Sequence, residues 1–178
     1  MPEAVTHFLI AAIVVNLIRD FLIKNKSAFP LHLVLIGGLA GLLPDFDIGV
    51  YWVLGFFGFS VSQVHRTFSH TLWVPILFFV LSFVFWKYKS SALSRRKLSW
   101  SNVLFVLGVG TFIHIILDAV FIGSVTPFFP FMDLVIGLNL AGYLPYHIQG
   151  AFSASLDAVL LMLWMIYIEL KHRISSFI

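Results

Sequence analysis

Long apolar runs separated by short polar stretches set the pattern of the chain. The first runs from Ala4 to Ile23 and is interrupted only near its end, by Arg19 and Asp20. A second begins at about Leu31, reaches about Ile48 and stays apolar to Phe59. Three more span about Thr71 to Trp86, Asn102 to Ile122 and Ala151 to Leu170. A bilayer core is about 30 Å thick and takes about 20 mostly apolar residues per helix. The pattern therefore predicts an all-α fold, a polytopic helical membrane bundle with about five transmembrane helices. Pro44 predicts a kink or an end within the sequence LPDFD, and residues 49–59 read as a short interfacial helix. Residues 123–150 hold Pro127, Pro130, Pro145 and several glycines, and read as an irregular or re-entrant segment. Gly37, Gly38 and Gly41 are small enough to admit a neighbouring helix. With no internal repeat and no linker, residues 1–178 read as a single transmembrane helical domain.

Composition narrows the class further. Of 178 residues, 60% are hydrophobic and 11% charged, against about 25% charged in a typical soluble domain. So few polar side chains exclude an ordinary soluble protein and a disordered one. Cysteine is absent, which excludes disulfides and thiolate metal sites. The first run lacks the basic leading region and small-residue cleavage site of a signal peptide. The net charge of +3 is small, and the basic residues fall in clusters that speak to topology rather than to nucleic acid. Lys24 and Lys26 follow the first run; Lys87, Lys89, Arg95, Arg96 and Lys97 follow the third; Lys171 and Arg173 follow the fifth. Under the positive-inside rule this predicts a multi-pass cell-membrane protein with five spans, its N-terminus outside and its C-terminus cytoplasmic.

Ionisable groups within the apolar runs are costly in lipid and so become functional candidates. They are His7, Asp45 and Asp47 on either side of Phe46, His65 and His70 in the run HRTFSH, and His114 and Asp118. The last two stand four apart and share a helix face. At a rise of 1.5 Å per residue, Asp45 lies about 20 Å from the inner end of its helix, and His114 and Asp118 about 20–25 Å from theirs. The topology puts His7, His65 and His70 near the outer face. All seven thus reach one level, in the outer half of the bilayer. Taken singly, each has a plainer role: a packing histidine, a chance HxxxD, or a capping turn at PDFD. Taken together in so apolar a chain they need mutual compensation, and a divalent cation supplies it by accepting neutral imidazoles and ionised carboxylates at once. Zinc, as one or two ions, suits this donor set; manganese, iron and nickel also fit it, and all-oxygen magnesium or calcium sites suit it less.

The order of these motifs (an early His, LLPDFD, HRTFSHTL, then HIILD and a proline-containing stretch) resembles the LexA-regulated, membrane-bound metal-dependent hydrolase family of bacteria and archaea. The likeness runs from about Thr6 to Pro130, and HRTFSHT is its most specific piece. It implies that His7, Asp45, Asp47, His65, His70, His114 and Asp118 are the family's polar motif positions and metal ligands. The chain departs from the pattern at Ile48, where that family often has a histidine. More distantly, the order is similar to the zinc-dependent phospholipase C and single-strand nuclease superfamily. That likeness implies phosphoester chemistry. His147 and Asp157 do not have the spacing of a second HxxxD, so one or two metals are expected rather than three.

On this reading a metal would lower the pKa of a bound water to about 7, making it the nucleophile. Asp45 is the expected bridging carboxylate, and Asp47 or Asp118 the general base. Arg66, between the two histidines of HRTFSH, either holds a phosphate or carboxylate with its forked guanidinium or snorkels to the interface. Ser69 reads as a capping residue. The expected activity is hydrolysis of a phosphoester of a phospholipid or lipid-linked substrate, reached from the bilayer. Two alternatives stay open: a non-catalytic membrane protein with a structural metal, and a metal-ion transporter. An intramembrane metalloprotease would carry HExxH and a serine hydrolase GxSxG, and neither motif occurs. No nucleic-acid partner is expected, and the oligomeric state is left open.

Overall fold

Proline and glycine punctuate the helices of this chain. The computed structural model describes residues 4–88, 98–121 and 123–173. Helix α1, Ala4–Leu17, contains neither residue type and continues as a π-helical turn, Ile18–Leu22. The Lys26 ammonium closes that end by donating to the carbonyls of Arg19 and Asp20, which would otherwise lack partners. Helix α2, His32–Ala40, starts just after Pro30 and ends at Gly41. After Pro44 the chain resumes as α3, Asp47–Leu54, and the segments His32–Ala40 and Pro44–Phe57 meet at 51°. A short α4, Val61–Val64, is closed by a capping box between Ser60 and Gln63. Then come α5, Trp73–Val84, α6, Trp100–Phe121, and α7, Tyr146–His172.

All five predicted apolar runs are helical, but they do not make five full spans. Among the described residues, Ala4–Leu22, Trp100–Phe121 and Tyr146–His172 are long and apolar enough to cross a membrane, and the bent pair raises the number to four at most. The third run forms the shorter helix Trp73–Lys87, about 22 Å at the helical rise. It begins two residues after the expected Thr71, whose Oγ1 donates to Phe68 O. Such side-chain bonds compete with the helical ladder. Ile122, the expected end of the fourth run, lies outside the described residues. The stretch from Gly123 to Pro145 is irregular as expected, with one isolated bridge between Val125 and Ile136 and a 3-10 turn, Leu140–Tyr143.

Packing centres on α1, α2 and α6. Ala12, Val15, Leu33, Val34 and Val106 form the buried core, while α7 keeps most of its surface open, as a lipid-facing helix does. Glycines set the approach. A Cβ at Gly37 would sit 2.6 Å from Val15 Cγ2, and one at Gly110 would sit 2.4 Å from the Gly37 carbonyl oxygen. Direction alternates along the chain. α1 meets α2 antiparallel (Val15 at Gly37, Ala11 at Gly41), and α2 runs parallel to α6. α5 runs antiparallel to α6, with Ser82 on Ser101. α7 runs parallel to α1, with Thr6 on Asp157 and Asp20 on Tyr167 and His172.

Helix direction gathers the basic groups at one end. Asp20 ties the end of α7 to the end of α1, and the Asn102 amide donates to Ala28 O. Lys24, Lys26, Lys87, Lys171 and Arg173 therefore share an end; Lys89, Arg95, Arg96 and Lys97 lie outside the described residues. Exposed Trp86 and Trp100 ring that end, and Trp52, Phe56, Phe131 and Tyr146 ring the other. Such aromatic belts mark the two interfaces of a membrane protein. With no native cysteine, single cysteines report sidedness cleanly. A cysteine at exposed Ser27 is expected to react with an impermeant maleimide only from the side of the basic end, and one at Ser124 only from the opposite side. Labelling of both from the same side would overturn the arrangement.

Candidate metal centre

At the end opposite the basic clusters, four segments converge. α1 supplies His7 from its first turns, and the break after α2 supplies Asp45 and Asp47. The turns between α4 and α5 supply His65 and His70, and the last turns of α6 supply His114 and Asp118. All seven expected side chains are brought together. His7, His70, His114 and Asp118 are buried, whereas the Asp45 side chain stays 33% exposed and marks the open face.

The imidazole directions are settled by their outer partners. His114 Nδ1 lies 2.7 Å from the Gly41 carbonyl oxygen. A carbonyl only accepts, so Nδ1 carries the proton and Nε2 presents a bare lone pair inward. His70 Nε2 stands 3.1 Å from it. Two nitrogens bound to one tetrahedral zinc at about 2.0–2.1 Å would be about 3.3 Å apart. Carboxylate oxygens flank the pair. Asp45 Oδ1 is 3.5 Å from His70 Nε2 and 3.6 Å from His114 Nε2, and Asp118 Oδ2 is 3.5 and 3.8 Å from the same atoms. His7 Nε2 reaches Asp118 Oδ1 at 3.2 Å.

Three overlapping groups have donor atoms close enough to share an ion: His7, Asp45 and His114; Asp45, His65 and His70; and His70, His114 and Asp118. Asp45, His70 and His114 each belong to two of them. Asp47 belongs to none. It sits behind the imidazoles, where Oδ1 accepts from His65 Nδ1 at 2.8 Å, and Oδ2 accepts from Ser69 Oγ at 2.5 Å and from Arg66 N–H at 3.1 Å. Ser69 thus holds Asp47 rather than serving as a cap. Burial disfavours protonated His70, but the Asp45 and Asp47 carboxylates outweigh it and hold the imidazole above its ordinary pKa. The pocket attracts positive charge.

Arg66 closes one side. Its φ of 64° is left-handed, an uncommon conformation for a residue with a side chain. Its Nε is buried and makes no hydrogen bond among the described residues, although Asp118 Oδ2 is 3.4 Å away. Nη1 reaches toward Ser124 Oγ at 3.5 Å. Neither Ser124 nor the Gly41 carbonyl announces itself in the sequence. Gly41 is legible there only as a small residue, and its role as acceptor depends on where α2 stops. Asp157, which lacks ligand spacing, accepts from Thr6, the neighbour of His7. At the far end Asp20 accepts from Arg19, Asn16 and Tyr167 and pairs with His172, a single carboxylate that ties helices together.

Residues 1–174 match the YdjM inner membrane protein family. No curated protein and no solved structure matches the chain.

Proposed function

We propose that this chain, which belongs to the YdjM inner membrane protein family, is a membrane-embedded metal-dependent hydrolase cleaving a phosphoester of a phospholipid or lipid-linked substrate. The observation that carries this reading is the facing pair of His70 and His114 Nε2 atoms at 3.1 Å, flanked by Asp45 and Asp118. The motif likeness to LexA-regulated metal-dependent hydrolases supports it. The donor set of neutral imidazoles and carboxylates suits zinc, as one or two ions, with manganese, iron or nickel as substitutes. His7, Asp45, His65, His70, His114 and Asp118 would hold the metal. When bound, it supplies Lewis acidity and a water of lowered pKa. Under the positive-inside rule the basic end is cytoplasmic and the centre faces the outer half of the bilayer.

The protein groups divide the remaining work. Asp45, at the open face, is reached by an incoming headgroup. Arg66 offers a guanidinium fork to the phosphoryl oxygens. Of the two carboxylates expected as general base, Asp118 keeps an oxygen facing the cluster, whereas both Asp47 oxygens already accept from donors. Proton transfer is assigned to Asp118, and Asp47 fixes the rings of His65 and His70 from behind. Between this cluster and Asp20 the core is apolar, with Ala12, Val15 and Val106 fully buried, which favours a one-ended site over a transport path.

The test is metal analysis of protein purified without chelator, followed by release of phosphate or headgroup from mixed membrane lipids. Chelator-sensitive release is expected. A bound metal with no exchangeable water, and no hydrolysis of any phosphoester, acyl or peptide substrate, would favour a structural metal. Outer partners of metal-bound histidines are typically worth about 10–100-fold in metal affinity. Asp47→Asn is therefore expected to keep the fold and weaken metal binding by about 10–100-fold, as read by competition with a chromogenic chelator. Unchanged affinity with lost turnover would instead make Asp47 the base.

A further inference from the structure

Beside the metal centre lies a groove of about 570 Å³ that the proposed chemistry does not use. Phe46, Val50 and Leu54 form one wall, and Val64, Phe68 and Val74 form the other. Its size falls within the roughly 300–1,000 Å³ of small-molecule sites. Phe46 and Phe68 stand exposed at its rim, so the groove opens sideways toward the surface that lipid covers. Its polar lining is Asp47, Gln63, Thr67 and Ser69. Of these, Asp47 and Ser69 hold His65 and His70 by hydrogen bonds. A molecule lying in the groove therefore passes from hydrocarbon walls to the imidazole cluster within one residue.

That polarity profile selects the occupant. The apolar walls suit an alkyl chain, while the cluster and Arg66 suit an anion. The Arg66 Nε is buried without a hydrogen bond among the described residues, with the Asp118 carboxylate 3.4 Å away. A neutral lipid would satisfy the walls and leave the guanidinium unused, and a soluble phosphate would do the reverse. We propose that the groove between α3 and α5 is a chain-binding subsite, holding the alkyl chain of an anionic phosphoester whose headgroup lies against Arg66 and the histidine cluster. This rests on the hydrolase reading for the fate of the headgroup but not for its binding. Val50 and Phe68 are then specificity-determining residues, touching the chain rather than the reacting atoms.

The experiment uses the full chain in nanodiscs and a non-hydrolysable long-chain alkylphosphonate with a diazirine at the chain end. A neutral long-chain alcohol bearing the same diazirine is the control. Labels from the phosphonate are expected to concentrate on the groove walls. Val50→Trp, at a half-exposed position that tolerates bulk, should cut groove labelling about tenfold. Arg66→Ala should weaken phosphonate labelling by about tenfold or more, the loss expected for a charge-assisted hydrogen bond, and leave the alcohol unaffected. Val53→Trp, which adds the same bulk to an exposed position of α3 outside the groove lining, guards against a general effect of the bulky side chain and should retain labelling. Labels spread evenly over lipid-facing α7, equal groove labelling by the alcohol, or cross-links to a second copy would each overturn the proposal. Photolabelling needs no turnover, so its failure is distinguishable from failure of the hydrolase reading. If the chain is also a substrate determinant, Val50→Trp should cut hydrolysis of long-chain phosphoesters about tenfold and spare a water-soluble aryl phosphodiester.

Discussion

His114→Ala is expected to strip the bound metal and abolish chelator-sensitive turnover, a loss of more than about a hundredfold in metal affinity. Removing an outer partner of a ligand already costs about 10–100-fold, and here the proposed ligand itself is removed, one of three residues, with Asp45 and His70, that belong to two of the three metal-competent groups. The same substitution leaves the Gly41 carbonyl without its donor. A buried acceptor left unsatisfied costs about 1–3 kcal/mol, so the thermal midpoint should fall even in protein kept free of metal. Elemental analysis and a melt, with and without added zinc, separate the two effects. Full occupancy with an unchanged midpoint would remove His114 from the ligand set. A lowered midpoint with full occupancy would leave it only the role of closing the end of α2.

Gly110→Val is expected to have the largest effect on the fold. A single Cβ there would lie 2.4 Å from the Gly37 carbonyl oxygen, 2.5 Å from Ala40 Cβ and 2.9 Å from Ala40 C. Two of these are backbone atoms, which no rotamer change can move aside. Overpacking a core ordinarily costs about 1–3 kcal/mol, and a backbone clash between two central helices belongs at or above the top of that range. His114 sits one turn further along the same face of α6. Parting α2 from α6 therefore also pulls its Nδ1 away from Gly41. Loss of a monodisperse peak on size exclusion and a lower melting midpoint are expected, with reduced metal content in whatever folded protein remains. Gly49→Ala is the control, since nothing lies within 4 Å of its Cβ position. A Gly110→Val protein that melts with wild type would mean that α2 and α6 do not touch as described.

Much of this architecture was legible because a bilayer leaves few choices. Apolar runs of sufficient length become helices, and a dozen polar residues among them have few places to go. His114 and Asp118 share a face through helical spacing alone, and Pro44 marks the bend. Asp45 and Asp47 illustrate what was missed and why. Residues two apart on a helical turn do not face each other, and Asp45 and Asp47 point to opposite sides of the imidazoles. One enters the cluster, and the other reaches the back of His65. The spacing held that information, but reading both as ligands passed over it. The shortening of the third span was less accessible. It amounts to two residues at the start, where Thr71 bonds back to Phe68. The link between Thr6 and Asp157 joins residues 151 positions apart, and no local pattern foretells it.

The parallel pairing of α1 with α7 has a consequence for how the protein is made. α1 leaves the ribosome before α7. Until the final helix arrives, Thr6, Asn16 and Asp20 of α1 lack the partners that α7 brings: Asp157, Trp164, Tyr167 and His172. The metal-binding side chains all come from residues before α7. A nascent chain thus brings the candidate ligands together while Asp20 holds only its local partners Asn16 and Arg19. Docking of α7 then adds Asp157, Tyr167 and His172 to these groups, so a chain truncated before α7 is expected to keep every candidate ligand of the centre and lose the contacts that brace α1 along its length.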